Sequence, residues 1–372
     1  MKISAVISTL EKAAPPVLAE PWDNVGLLVG SSGGQAKKVL VCTDVTQQVL
    51  AEAQQMKAQL IVAHHPVIFK PLSAVTTEAA PLVWEAVRHD IALYAMHTNF
   101  DAAPGGTNDV LAEALGLTHV RPLRAGQSED VCKIVTFLPG DDLPAVSEAA
   151  FAAGAGQIGE YFDCAFFTHG IGAFRGGQGT SPAIGTPGEH AACEEVRLEM
   201  LAPQSRAAEV IAAIRSVHSY ETPAVDVYPL ISPAPGSGQG RIGALPRSVT
   251  VETLVRRVKK ALGIGKLRVA GAPGADGGQR KANLVTTAAC CAGSGASLVG
   301  DAVRAGAGLY LTGEIGHHET LDAVETGLTV VAAGHGNSER PAMRRLAERL
   351  DETLGGVAVR FAASDRDPLR IT

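Results

Sequence analysis

One recurrent pattern limits the fold more than any other feature: a short apolar run, a polar cluster at its end, then a helix-like stretch. Val39 to Cys42 leads into Thr43-Asp44-Val45-Thr46, Leu60 to Ala63 into His64-His65-Pro66, and Ile91 to Met96 into His97-Thr98-Asn99-Phe100-Asp101. Further on, Leu284 to Ala289 leads into Cys290-Cys291-Ala292-Gly293-Ser294-Gly295 and Leu309 to Thr312 into Gly313-Glu314. Leu328 to Ala332 leads into Gly334-His335-Gly336-Asn337-Ser338-Glu339. Helices are expected over Val49 to Lys57, Leu82 to Arg88, Leu298 to Ala305 and Pro341 to Leu350. Such alternation predicts an α/β fold with an at least partly parallel sheet. In sheets of that kind ligands gather in the loops at the strands' carboxyl ends.

The middle of the chain departs from the pattern. Strands are expected over Val131 to Leu138, Phe162 to Thr168, Glu195 to Leu201 and Val225 to Pro229, with helices over Leu143 to Ala153 and Ala207 to Arg215. That order predicts a small α+β insert over residues 128–236, dividing an α/β domain into halves at 1–127 and 237–372. The polar Gly126 to Asp130 marks its entry, the Pro/Gly-rich Pro233 to Gly240 reads as an exit hinge, and Gly271 to Gly278 as a surface loop. The 372 residues suffice for two or three domains. With 32 Lys and Arg against 38 Asp and Glu, and no basic run, nucleic acid and anionic membranes are not expected partners. Six cysteines without a CxxC pair point to a reducing cytoplasm, and Cys290 and Cys291 read as buried small hydrophobes. No uncharged apolar stretch reaches the ~18 residues of a membrane span, and Glu11 and Lys12 interrupt the N-terminal apolar run too early for a signal peptide.

The chemistry lies in three of the loops. Neighbouring residues in a strand point to opposite faces, so His64 and His65 can share a site only where the strand ends; otherwise one is buried and one is on the surface. Pro66 holds the turn extended. His97 and Asp101 lie four apart after the next strand, and His335 and Glu339 four apart after another, on one face of a helical turn. Ser338 could cap that helix, leaving Glu339 in its positive first turn. Taken together, imidazoles and carboxylates without thiolate suit zinc, manganese or iron. The donors exceed what one tetrahedral ion needs and fit two divalent ions, with Asp101 or Glu339 available to bridge.

Pro21-Trp22-Asp23-Asn24-Val25-Gly26-Leu27-Leu28-Val29-Gly30, His64-His65-Pro66, His97-Thr98-Asn99-Phe100-Asp101, Thr312-Gly313-Glu314 and Gly334 to Glu339 resemble the motifs of one family, in order and over essentially the whole chain. It is the Nif-three-like dinuclear metal centre, hexameric protein family, also described as GTP cyclohydrolase I type 2 homologues. The resemblance implies a two-lobed α/β fold and two divalent ions held by His64, His65, Asp101, His335 and Glu339. His97 then lines the site as a proton shuttle, or as a group that supports the ligands, rather than as a ligand itself. It further implies a homohexamer and, in long members, a PII-like α+β insert. Ile158 to Tyr161, Gly170 to Arg175, His218 to Pro223 and Asp226 to Leu230 carry the insert's likeness. Ser219 and Thr222 stand where the family form has proline and an acid.

Around this centre, Asp44, Glu314 and His318 are pocket candidates. His318 belongs to a second pair, His317-His318-Glu319, with a surface helix start as the alternative. Trp22 reads as core packing, or with Asp23 as pocket wall. Gly293-Ser294-Gly295 reads as a tight turn rather than a phosphate cradle. The expectation is a metal-dependent hydrolase in which activated water attacks a nucleotide or related small molecule, phosphoesters included. The rival is a non-enzymatic metal-binding or regulatory hexamer with a small-molecule-sensing insert.

Overall fold

The computed structural model describes residues 1–127, 131–230, 233–271 and 284–369. The chain forms two compact units, Met1–Gly126 with Ala234–Thr372, and Gln127–Pro233.

The first unit holds two sheets. One runs Gly26–Val29, Ala92–Ala95, Leu60–Ala63, Lys38–Cys42, Ala358–Phe361. Its last four strands are parallel and Gly26–Val29 is antiparallel to its neighbour. Strands with water-free faces on both sides need continuous apolar runs, and Lys38–Cys42 and Leu60–Ala63 supply them. Val39 and Val41 pack with Ile3, Val6 and Leu10 of the helix Ile3–Ala13 and with Met343, Leu346 and Leu350 of the helix His335–Thr353. Leu40 and Cys42 pack on the other side with Val49, Leu50 and Ala53 of the helix Gln47–Met56, and with Val83 and Ala86 of the helix Pro81–Arg88. Thr46 caps Gln47–Met56, its hydroxyl accepting from the Val49 amide at 3.2 Å.

The second sheet runs Arg268–Ala270, Thr329–Ala332, Leu309–Glu314, Leu284–Ser294, Pro233–Thr250, Thr118–Gln127. Its central three strands are parallel. Alternate residues of Leu284–Ser294 face opposite cores. Ala288, Cys290 and Ala292 meet Leu254 and Val258 of the helix Val251–Leu262, whereas Ala289 and Cys291 meet Leu298, Ala302 and Tyr310. Cys290 and Cys291 are therefore buried core residues, and both are free thiols.

Two readings of local sequence need correction. Pro233 to Gly240 is the start of the strand Pro233–Thr250, not a hinge. Gly238 and Gly240 take positive φ of 144° and 63°, and a Cβ on Gly238 would meet the Arg124 carbonyl oxygen at 2.2 Å, so the glycines serve close strand approach. The last helix begins at His335 after Gly334 at φ 99°, with Pro341 inside it, rather than at Pro341. Of the expected Gly271 to Gly278 loop, all but Gly271 lies outside the described residues.

The second unit is an antiparallel sheet in the order Ala165–Arg175, His190–Pro203, Val131–Leu138, Val225–Pro229. The helices Leu143–Ala152 and Ala207–Val217 cover one face, where Val146, Ala150, Val210 and Ile214 pack on Ile134, Leu198 and Met200. Its two long strands extend beyond the expected ranges because they pair with each other in unbroken register from Ala165↔Met200 to Arg175↔His190.

Candidate metal centre

The site stands where the carboxyl ends of the two sheets of the first unit meet, as open α/β sheets dictate. His64 and His65 follow Leu60–Ala63, His97 and Asp101 follow Ala92–Ala95, and Asp44 follows Lys38–Cys42. From the other sheet, Glu314 ends Leu309–Glu314, and His335 and Glu339 occupy the first turns of His335–Thr353.

Glu339, 2% exposed, is the hub. Its Oε1 lies 3.2 Å from His335 Nε2 and 3.7 Å from His64 Nε2, and its Oε2 lies 3.4 Å from His65 Nε2. His64 Nε2 is 3.6 Å from Asp101 Oδ1, and the Nε2 atoms of His65 and His335 are 3.4 Å apart. His97, His64 and His65 also offer ligand atoms within 4.8 Å of one another, as do His65, His335 and Glu339. Two atoms bound to one tetrahedral ion at ~2.0–2.2 Å sit about 3.3 Å apart, close to these separations.

Each histidine has its other nitrogen anchored. Nδ1 of His64 contacts the Met96 carbonyl at 2.8 Å, that of His65 Asp44 Oδ1 at 2.8 Å, that of His97 Asp23 Oδ1 at 2.8 Å, and that of His335 Glu314 Oε1 at 3.0 Å. With Nδ1–H donated outward, all four rings turn Nε2 toward the pocket, where its lone pair can serve an ion once any proton on it has left. Buried His64 Nε2 and Glu339 Oε2 have no hydrogen-bond partner among the described residues. Orphaned buried polar atoms cost about 1–3 kcal/mol each, and a cation between them removes the penalty. The donor set fits a divalent metal.

Charge balance follows. Burial pulls the His65 imidazole down, but the hydrogen bond to Asp44 and the nearby negative charge of Glu339 outweigh it and hold it at about 10. Glu339 lifts His335 to about 9. Burial lowers His64 and raises Asp101. Burial also pushes Glu339 up, yet His335 and His65 drag it well below the carboxylate range. Asp23, likewise raised by burial, is held at about 2 by His97 and Thr98. Without metal the centre stores protons on His65 and His335; a cation must displace them.

Several supports escape a local reading of sequence. The Asp23 side chain is fully buried and also accepts from the Thr98 amide at 3.0 Å and its hydroxyl at 2.5 Å, so it is a wall residue with a defined task. Trp22 is 59% exposed and stands edge-on to His97 at 6.1 Å on the cavity wall, the second of its two readings rather than core packing. Thr107 donates its hydroxyl to Asp101 Oδ1, and Asn108 ties the Asp101 carbonyl at 2.9 Å to the Ala292 amide at 2.8 Å. Ser338 does not cap its helix; it sits inside it, accepts from the Gly293 amide at 2.9 Å and donates to the His335 carbonyl at 2.6 Å. Asp365 accepts from the Thr43 amide and from Arg340 Nε at 2.9 Å, bracing the neighbours of Asp44 and Glu339 together. Gly293 has φ 60° and Gly295 accepts from the Tyr310 hydroxyl at 2.7 Å, the turn expected there. His318 is not brought to the cluster: it is exposed in the helix His317–Glu325, its ring 5.4 Å from that of His317.

A cavity of about 340 Å³ opens over the cluster, walled by Trp22, His97, Asp101, Arg124, Gln239 and His335. The fold and this donor set define an α/β protein with side-chain clusters able to hold metal, consistent with a metal-dependent activity. The sequence matches the Duf34/NIF3 (NGG1p interacting factor 3) family over residues 1–368, and the chain belongs to that family. It is 37% identical over 359 residues to a GTP cyclohydrolase 1 type 2 homolog of Halalkalibacterium halodurans, covering 95% of this chain and 94% of that one. The Bacillus subtilis protein of the same description is 36% identical, covering 98% and 96%. Among solved structures, a Bacillus cereus protein related to NIF3 matches at TM-score 0.70 and 34% identity, covering 100% of this chain and 99% of that one. A Staphylococcus aureus protein matches at TM-score 0.81 and 27% identity with the same coverage. No helix among the described residues is long and apolar enough to cross a membrane.

Proposed function

We propose that the centre is a two-metal hydrolytic site with His64, His65, Asp101, His335 and Glu339 as ligands and Glu339 as the bridge. The observation that carries the reading is the anchoring of four Nδ1 atoms to Met96, Asp44, Asp23 and Glu314, which turns four Nε2 atoms on one pocket. The bridging role rests on the two Glu339 oxygens facing different histidines. Two zinc, manganese or iron ions, when bound, supply an acidified water and a Lewis acid. His97, oriented by Asp23, takes up and returns a proton at Nε2. Asp44 and Glu314 fix the imidazole planes of His65 and His335. Trp22, Arg124 and Gln239 at the cavity wall position the substrate.

The substrate is a nucleotide or related small molecule; the likeness to bacterial GTP cyclohydrolase 1 type 2 homologs and the open aromatic edge at Trp22 support that class. The same reading makes the chain a cytoplasmic homohexamer with residues 128–236 as a discrete, PII-like inserted domain. The experiment counts bound metal and screens GTP, other nucleotides and generic phosphoesters with the native chain, Asp101→Ala and His335→Ala. Metal-dependent turnover that both substitutions abolish is expected. Turnover by metal-free variants refutes the mechanism. Two metals per chain without turnover of any compound replaces it with a metal-binding regulatory role. Light scattering reads the assembly.

A further inference from the structure

The metal chemistry makes no use of a second cavity, about 350 Å³, built wholly within the unit Gln127–Pro233. That volume lies in the ~300–1,000 Å³ range of small-molecule sites, which are mostly apolar with a few placed polar groups. Phe137, Phe174, Pro182, Ile184 and Ala224 supply the apolar wall. The polar end is ordered by contacts among its own side chains. Tyr220 donates its hydroxyl to Glu195 Oε1 at 2.8 Å, and Cys193 Sγ lies 3.8 Å from the same oxygen. Oε2 of Glu195 has no hydrogen-bond donor among the described residues. It rests against Gly172, where a Cβ would come within 2.1 Å of it, so the carboxylate occupies room that only glycine leaves. A second carboxylate, Glu221, accepts from the Ser181 amide at 3.0 Å and holds the connection between the two long strands beside the cavity.

Charge decides the class of ligand. Among the described residues two carboxylates line the cavity and no Lys, Arg or His does. Arg197 lies over the Phe137 ring at 5.7 Å but bonds Glu199 at 2.7 Å, and His218 turns its ring nitrogens to the Phe137 carbonyl at 3.0 Å and the Tyr220 amide at 3.0 Å. An anionic ligand would meet unscreened repulsion, and a neutral apolar one would strip water from a carboxylate and give nothing in return. A cationic head on an apolar body satisfies both ends, with charge-assisted hydrogen bonds to Glu195 and ring contacts to Phe137 and Phe174.

We propose that this cavity binds a small primary ammonium compound carried on an aromatic or aliphatic body, with Glu195 holding the ammonium group. The test uses the full chain and titration calorimetry with phenethylamine and hexylamine, against their anionic counterparts 3-phenylpropionate and hexanoate. Amines are expected to bind at least about ten-fold more tightly than the anions, a 1.4 kcal/mol preference. Glu195→Gln and Gly172→Ala, the latter by displacing the carboxylate, are each expected to erase that preference while metal content stays unchanged. Failure of both amines to bind at millimolar concentration overturns the proposal. So does equal binding of amines and anions by the native chain, a comparison that needs no variant to fold.

Discussion

Arg241 is 1% exposed, yet it carries a full charge, and its surroundings show how the centre is held from behind. Its guanidinium bonds Asp109 through Nε at 2.6 Å and Nη2 at 3.2 Å. It also donates to the carbonyls of Gly238 at 2.7 Å, Gly240 at 2.9 Å and Ala103 at 3.0 Å. Ala103 lies two residues after Asp101, so the pair clasps the ligand loop onto the second sheet. Asp109→Asn keeps the shape and removes the charge. Breaking a buried pair by removing one partner costs about 3–5 kcal/mol. The carbonyls that remain around Arg241, and the 23% exposure of the Asp109 side chain, place the loss near the lower end, about 3 kcal/mol. At ~2–4 °C per kcal/mol for a unit of this size, the melting temperature should fall by about 6–12 °C. Differential scanning calorimetry of the metal-free protein reads this directly, and metal affinity should weaken in parallel because Asp101 loses its backing. A fall under about 2 °C would show that the carbonyls alone hold Arg241, and the clasp argument would be wrong.

Other consequences can be measured on the same material. Asp44→Asn and Glu314→Gln should each weaken metal binding about 10–100-fold, nearer the lower figure since both carboxylates are half exposed; competition with a chromogenic chelator measures this. Gly293→Ala should abolish metal loading while largely sparing the fold, because a Cβ there would lie 2.5 Å from buried Glu339 Oε1; elemental analysis beside a melting curve separates the two effects. His65 and His335 are held above 6.5, at about 10 and about 9. Their contribution to the stability of metal-free protein is therefore complete below the ordinary value and fades as pH rises through 9 to 10. Metal affinity should climb over the same interval as those protons leave, with proton release visible as a buffer-dependent heat of binding; a flat affinity from pH 7 to 10 would contradict the charge balance.

Periodicity made some of this legible and left the rest dark for a physical reason. Leu60–Ala63, Val131–Leu138 and Val225–Pro229 stand where their apolar runs place them, since burial on a sheet is written into consecutive residues. The gathering of His64, His65, Asp101, His335 and Glu339 could be anticipated because strand-end loops of α/β sheets converge. Asp23 carries no local mark of its bond to His97, 74 residues away. Asp365, 322 residues from Thr43, carries none either. Trp22 misleads because aromatic character promises burial, which a cavity rim does not provide. The Pro/Gly run at Pro233 to Gly240 misleads because composition alone cannot tell a hinge from a strand whose neighbours crowd it.

The brace of Asp365 on Thr43 and Arg340 has a consequence for the order of events in the cell. A ribosome delivers His64, His65 and Asp101 long before His335, Glu339 and Asp365 exist. Until the segment from His335 to Asp365 has emerged, His64, His65 and Asp101 lack their partners from the second sheet. The donor cluster therefore closes late in synthesis, and a chain truncated ahead of Asp365 would carry every candidate donor without the brace between Thr43 and Arg340.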